Sequence, residues 1–224
     1  GYIAFATRGG LIKKTRVEEF AHINKNGKIA IRLSEDDELI SVQFTSGDNE
    51  LMIASSDGKC IRFHESGVRA MGRDTAGVRA MKLSEGDRLV DMLVVDESKD
   101  ILTVTSNGYG KRTDLDEYRI TNRGGKGVKT INITEKTGDL ISIQAVTDEN
   151  DLMIINRSGL TIRTAVDQIR VAGRATQGVR IINLREGDAI ASVIAVPANE
   201  EEEPAVLDGA GAPESESEEN VSKE

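Results

Sequence analysis

Apolar and polar positions along this chain repeat with a period of two rather than 3.6, which predicts strands rather than helices. The stretch Ile101-Leu102-Thr103-Val104-Thr105 is apolar and β-branched, Ser106-Asn107-Gly108 is a hairpin turn, and Tyr109-Gly110-Lys111-Arg112-Thr113 runs back. Farther on, Val128-Lys129-Thr130-Ile131-Asn132-Ile133 alternates and Leu140-Ile141-Ser142-Ile143-Gln144-Ala145-Val146 reads as a more buried strand. The same order recurs where Leu51 to Ser56 turns at Asp57-Gly58 into Lys59 to Phe63, and where Leu152 to Ile155 turns near Ser158-Gly159 into Leu160 to Thr164. Two hairpins per unit predict a four-stranded blade. Arg16 to Phe20, Asp114 to Tyr118 and Ala165 to Ile169 are long enough only for single helical turns.

The units are in phase. Gly27, Gly77, Gly127 and Gly178 stand 50, 50 and 51 residues apart, each followed six positions later by Leu33, Leu83, Ile133 or Leu184. Upstream, Gly10, Gly58, Gly108 and Gly159 are each followed four positions later by Lys14, Arg62, Arg112 or Arg163. Downstream, Asp37, Asp87, Asp139 and Asp188 close a turn. A period near fifty residues marks a propeller or solenoid array, because one blade cannot bury its apolar face alone. The expected fold is therefore all-β and propeller-like, with four blades at roughly 1–49, 50–98, 99–150 and 151–196. The absence of Trp argues against a WD-type propeller, and all three prolines fall at 197 or beyond, leaving the strands free to donate along their ladders.

Charge changes the picture once it is divided. Residues 197–224 hold ten carboxylates and one lysine, a net of −9, which is the whole formal charge; residues 1–196 carry 28 basic and 28 acidic side chains. The acidic balance belongs to the tail, which is expected to be disordered and either solubilising or a competitor for the basic surface. Cys60 is the only cysteine, so an internal disulfide is excluded and a reducing cytoplasm is expected. No run has the length of a transmembrane helix, and Gly1 to Thr7 already reads as a strand, which suggests that the chain begins inside a larger protein.

Within the repeats the basic residues gather in the second strand and the long loop: Lys13, Lys14, Lys25 and Lys28; Arg62, Arg69, Arg73 and Arg79; Lys111, Arg112, Arg123, Lys126 and Lys129; Arg163, Arg170, Arg174 and Arg180. Stacked repeats would bring them to one rim. Arg123-Gly124-Gly125-Lys126-Gly127 is the most concentrated loop, where Gly124, Gly125 and Gly127 let backbone N–H groups approach an anion. Such a band suits duplex DNA bound through phosphates with little sequence preference, and nothing resembles a recognition helix. The loop lacks the Walker spacing. His22 and His64 are expected to lack partners for a metal site or proton relay, Cys60 to be a small buried hydrophobe, and Tyr2, Tyr109 and Tyr118 to pack.

The repeats resemble the C-terminal domains of DNA gyrase A subunits, β-pinwheels that wrap DNA, over essentially residues 1–196. The likeness rests on Asn107 to Thr113, Val68 to Arg73, Gly173 to Val179, and on Arg123 to Gly127, which match the end of the family's Gln-Arg-Arg-Gly-Gly-Lys/Arg-Gly box; Thr121 and Asn122 depart from its start. The match lies in the third of four repeats, so the chain looks like the last four of six blades plus the tail. The resemblance implies several things. DNA-binding residues would be those named above except Arg170. The partners would be duplex DNA, the rest of the A subunit, and the B subunit of an A2B2 tetramer, within the bacterial cytoplasm and nucleoid. Cofactors would be absent here, ATP and Mg serving elsewhere in an enzyme that introduces negative supercoils and cuts DNA with a tyrosine of an upstream domain. The equivalent domain of topoisomerase IV and a propeller scaffold for proteins are the alternatives.

Overall fold

The computed structural model describes residues 1–198; of the tail expected from 197 onward, Pro197 instead closes the last strand and Ala198 N bonds Glu149 O at 2.9 Å, while 199–224 lie outside the described residues. Four antiparallel sheets follow one another along the chain. The first two strands of each repeat form its hairpin: β1 (Tyr2–Thr7) with β2 (Leu11–Arg16), β4 (Glu50–Ser55) with β5 (Lys59–His64), β8 (Asp100–Thr105) with β9 (Tyr109–Thr113), and β12 (Asn150–Asn156) with β13 (Thr161–Ala165). The last strand of each repeat pairs on the other side of the first: β3 (Leu39–Thr45), β7 (Leu89–Val94), β11 (Leu140–Val146) and β15 (Ile190–Pro197).

The remaining strand corrects the expectation of two hairpins within one repeat. The two-residue strands β6 (Val78–Arg79), β10 (Val128–Lys129) and β14 (Val179–Arg180) leave their own repeat and pair with β2, β5 and β9 of the repeat before. The sheets are therefore β3-β1-β2-β6, β10-β5-β4-β7, β11-β8-β9-β14 and a three-stranded β13-β12-β15. Among the described residues no repeat follows to complete the fourth sheet, and residues 28–33 of the first repeat have no earlier sheet to join. The exchange joins each blade to the next through main-chain hydrogen bonds.

The reason lies in the close approach that the glycines permit. A Cβ on Gly127 would stand 2.5 Å from the Cys60 carbonyl, and one on Gly58 would stand 2.5 Å from the Ile131 carbonyl. Both glycines have positive φ, +74° and +84°, so only glycine fits the conformation and the space together.

The cores lie between blades, one at each junction. On β4, Leu51 and Ile53 face the first blade with Ala4, Ala6 and Ile12, while Met52 and Ala54 face the third with Ile101, Ile131 and Tyr118. Both faces of a middle blade are thus covered, which explains why its central strands are continuous apolar runs. The third junction packs Leu102 and Val104 on Leu152, Ile154 and Val193. The three predicted helical turns are short 3₁₀ turns at Val17–Phe20, Leu115–Glu117 and Val166–Gln168, and a fourth that was not predicted lies at Glu65–Gly67. The phased aspartates tie turns: Asp87 accepts from Ser56 Oγ at 2.8 Å and Asp57 N at 3.0 Å, and Asp188 from Ser158 Oγ at 2.7 Å.

Candidate nucleic-acid interface

The predicted cations separate into three rows. The first lies on the second strands, and here the structure corrects the reading. Lys13, Lys14, Lys111 and Arg112 are buried, between 0% and 6% exposed. Lys14 pairs with Glu65 at 3.4 Å, Arg62 with Glu50 at 2.6 Å, Arg112 with Asp100 at 2.9 Å and Asp148 at 2.5 Å, and Arg163 with Asp151 at 2.7 Å. In the first three repeats a second strand has paired neighbours on both edges and a blade against its face, so a cation there is desolvated and must be matched; β13 is the edge of its three-stranded sheet, and Arg163 is correspondingly more exposed. The signal was in the sequence: Glu50, Asp100 and Asp151 stand twelve residues before Arg62, Arg112 and Arg163.

Two of the three buried lysines act on the loops. Lys111 Nζ donates to the carbonyls of Gly173, Arg174 at 2.7 Å and Thr176 at 2.9 Å, and Lys13 Nζ to those of Ala30 and Arg73. Burial pushes both ammonium groups down to about 8. These side chains hold the long loops and offer nothing to a phosphate.

The second row is Arg73, Arg123 and Arg174, all half-buried. Arg73 Nη1 donates to the carbonyl of Ile29 at 2.9 Å, Arg123 Nη1 to that of Arg79 at 2.7 Å, and Arg174 Nη1 to that of Lys129 at 2.9 Å. Each acceptor lies two residues after the glycine of the preceding loop. Arg123 Nε adds a bond to Gly67 O at 2.9 Å. The loops are therefore latched to one another in sequence, side by side along one edge.

The third row is exposed. Arg79, Lys129 and Arg180 stand two residues after their glycines, and Arg69, Arg119 and Arg170 eight residues before them. Arg119 was missed by sequence reasoning although its phase with Arg69 and Arg170 marks it. Lys25 and Lys126 are also exposed, and among the described residues the side chains of Lys25, Arg69, Arg79, Arg119, Lys126 and Arg170 make no hydrogen bond or ion pair. Arg180 Nη2 donates to Tyr109 Oη at 3.0 Å, Lys129 Nζ to Asn132 Oδ1 at 3.4 Å, and Lys28 is held by the Ala21 and Glu19 carbonyls. Between these rows lie Gly124, whose N–H donates to Ala80 O at 2.7 Å, and the exposed Gly125 and Gly127.

His64, expected to lack partners for a metal site or proton relay, makes two local contacts: Nδ1 meets Ser66 Oγ at 2.8 Å and Nε2 meets Asp48 Oδ1 at 3.0 Å. It also accepts from Ser66 N, capping the turn at Glu65–Gly67, and the Asp48 side chain is 95% exposed, so no desolvated acid backs the imidazole. Cys60 is buried and its thiol is pushed up to about 12 by burial. Among the described residues no cluster of His, Cys, Asp or Glu could hold a metal ion, and no helix is long and apolar enough to cross a membrane.

Strand exchange between four successive repeats, with phased cations on their long loops, defines a propeller-like class of β-repeat protein. Residues 1–46, 49–96, 99–147 and 150–197 match, one repeat at a time, the family described as the DNA gyrase C-terminal domain, beta-propeller, and the chain belongs to that family. It is 48% identical over 204 residues to the DNA gyrase A subunit of Staphylococcus epidermidis and 45% identical to that of Staphylococcus aureus, in each case over 90% of this chain and 23% of the relative. It thus spans about a quarter of the length of the curated relatives it matches. Among solved structures it is similar to a DNA gyrase A C-terminal domain, with a TM-score of 0.79 and 28% identity over 86% of this chain and 64% of that one. It is also similar to the C-terminal domain of a DNA topoisomerase IV, with a TM-score of 0.83 and 27% identity over 88% and 62%.

Proposed function

We propose that the latched edge binds duplex DNA through its phosphates, without sequence readout, and bends it as part of a gyrase A subunit. The observation that carries the reading is the register of the loops: the Arg73, Arg123 and Arg174 latches set three loops in order, and the exposed rows Arg69, Arg119, Arg170 and Arg79, Lys129, Arg180 follow them. Contacts recurring at a regular step are what bending demands, since curving a site of 20 to 30 bp costs on the order of a few kcal/mol that must be offset along the path.

The site residues are accordingly Lys25, Arg69, Arg79, Arg119, Gly124, Gly125, Lys126, Gly127, Lys129, Arg170 and Arg180. In the holoenzyme, an A2B2 assembly in the bacterial cytoplasm, such a segment would guide DNA into a crossing that ATP-driven strand passage elsewhere in the enzyme converts to negative supercoils. ATP and Mg would be held outside this segment. A topoisomerase IV domain is the second reading, favoured by the TM-score of 0.83; the 48% identity to a gyrase A subunit favours the first.

The test is a bending assay on a short duplex at about 50 mM and about 200 mM salt, comparing the chain with an Arg119→Ala/Lys126→Ala/Lys129→Ala variant. Bending that vanishes at the higher salt and in the variant is expected. Binding insensitive to salt would overturn the reading.

A further inference from the structure

The three latched loops are not fastened alike. Three residues after the turn glycine of each second strand stand Lys13, Ile61, Lys111 and Ile162, and nine residues after it stand Glu19, Gly67, Glu117 and Gln168. Lysine and glutamate occur together or not at all. Where they occur, the ammonium is seated under the loop of the next repeat with the carboxylate acting on it, and Glu117 Oε1 also accepts from Arg174 N at 3.3 Å. Those two loops carry a further tie within themselves: Thr75 Oγ1 donates to Gly72 O at 2.8 Å and Thr176 Oγ1 to Gly173 O at 3.1 Å.

The Asn122 to Gly127 loop has none of these. Beneath it lies Ile61 instead of lysine, Gly67 replaces the glutamate, and Gly125 stands where the other loops have threonine. Its first half is fastened differently: Gly124, at φ +88°, turns its N–H onto the carbonyl of Ala80, the counterpart of the Ala30 carbonyl that Lys13 holds. Its second half keeps the one main-chain tie that the other two loops also make, Lys82 N to Gly125 O at 2.8 Å, and otherwise spans a cavity of about 230 Å³ lined by Ile61, Tyr118, Thr121 and Val128. The corresponding space above the third blade, partly lined by Lys111, is about 110 Å³. Gly125, Lys126 and Gly127 are all exposed, whereas Thr75, Ala76 and Gly77 are half-buried.

We infer that Ile61 and Gly67 are positioning residues that make the short Gly125-Lys126 segment, between the tied Gly125 carbonyl and the Gly127 seated on Cys60, the compliant contact of the edge, able to shift over its cavity to meet a phosphodiester, while the loops above Lys13 and Lys111 act as fixed posts. The inference rests on the DNA-binding reading for its ligand and on the geometry alone for its mobility. A duplex laid across three rigid contacts must match all of them at once; one adjustable contact between two fixed ones admits a range of curvatures.

Amide hydrogen exchange on the chain without DNA separates the two parts. The reporters are the amides that donate to the loop carbonyls: Lys82 N to Gly125 O at 2.8 Å, Arg32 N to Thr75 O at 2.9 Å and Asn132 N to Thr176 O at 3.0 Å. The protection factor at Lys82 is expected to lie about tenfold or more below those at Arg32 and Asn132. Installing the missing clamp with Ile61→Lys/Gly67→Glu should raise protection at Lys82 and narrow the range of bend angles on short duplexes, with affinity at low salt changed less than about threefold; Ile61→Met should do neither. If the clamp variant does not fold, Lys111→Met/Glu117→Gln serves in the opposite sense and should lower protection at Asn132. Equal protection of the three amides in the parent chain overturns the inference and leaves the DNA reading standing. Failure of the parent chain to bind duplex would defeat the DNA reading and leave the measured mobility.

Discussion

Arg123 reaches out of its own loop and donates from Nη1 to the carbonyl of Arg79 at 2.7 Å, the bond that Arg73 makes to Ile29 and Arg174 to Lys129 one repeat away on either side. A residue of the loop proposed to meet DNA thus spends its guanidinium on protein. Arg123→Ala should therefore lower stability, by about 1.5 to 3 kcal/mol for the charge-assisted bonds to Arg79 O and Gly67 O. Lys126→Ala, three residues on, should change it by less than about 0.5 kcal/mol. Urea unfolding of the two variants distinguishes the roles; equal effects would mean that the latch is not formed in solution.

Arg119 stands on the surface without a partner among the described residues, in phase with Arg69 and Arg170. If each of these meets one phosphate, Arg119→Ala should leave stability untouched and reduce the slope of log affinity against log salt by about 0.9. Replacing Arg112, whose guanidinium is spent on Asp100 and Asp148, should leave that slope alone in whatever fraction still folds.

Breaking the pairs of the second strand tests the corrected role of that row. Arg112→Met removes a side chain that is only 8% exposed and bonded to two carboxylates, and should cost about 3 to 5 kcal/mol, whereas Arg163→Met removes one that is 34% exposed and paired with the single carboxylate of Asp151, and should cost less, about 1 to 2 kcal/mol. Thermal or urea midpoints of the two variants in reverse order would contradict the burial difference.

Asp91 bridges the second and third blades, its Oδ2 accepting from Ser142 Oγ at 3.2 Å and from Ile143 N at 3.0 Å, with no cation in the contact. Burial lifts its carboxyl to about 6 despite those bonds and the one from Met92 N. The folded state therefore holds the proton more tightly than the unfolded chain, so this residue's contribution is greatest in acid and is lost as pH rises from about 4 to about 6. The loss is on the order of 3 kcal/mol before other groups are counted. Asp74, Asp96 and Asp188, held low by hydrogen bonds, act in the opposite direction, so the parent curve alone is not diagnostic. The stability of the parent minus that of Asp91→Asn should fall across that window; a flat difference would show that Asp91 titrates normally.

What could be read from the sequence follows from what repeats. Period-two runs such as Ile101 to Thr105 and glycines spaced by fifty residues were enough for an all-β array of blades, because burial on both faces and tight turns leave local marks. That Val128 and Lys129 pair with Cys60 and Lys59 of the previous repeat was not legible, since donated and retained strands alternate identically. The loop cations were found because they are phased. Lys13 and Lys111 were placed among them because a lysine beside a glycine turn carries no sign of which way it points; only the neighbouring blade, set by the strand exchange, turns it inward.

The strand exchange itself can be tested at one atom. Gly127 and Gly27 hold the same position in their repeats and have φ values of +74° and +71°, so an alanine at either is strained to the same degree by the backbone. Their surroundings differ: a Cβ at 127 would lie 2.5 Å from Cys60 O and 2.7 Å from Met81 Cε, whereas at 27 nothing lies within 4 Å. Gly27→Ala should therefore cost only the conformational strain, about 1 to 2 kcal/mol. Gly127→Ala cannot keep β10 at hydrogen-bonding distance from β5, and should cost more than about 3 kcal/mol by adding a steric clash and lost ladder bonds. Unfolding free energies of the pair measure the difference. If the two substitutions cost the same, the loop of the third repeat does not press against the second blade in solution, and the edge that the latches align would have no foundation.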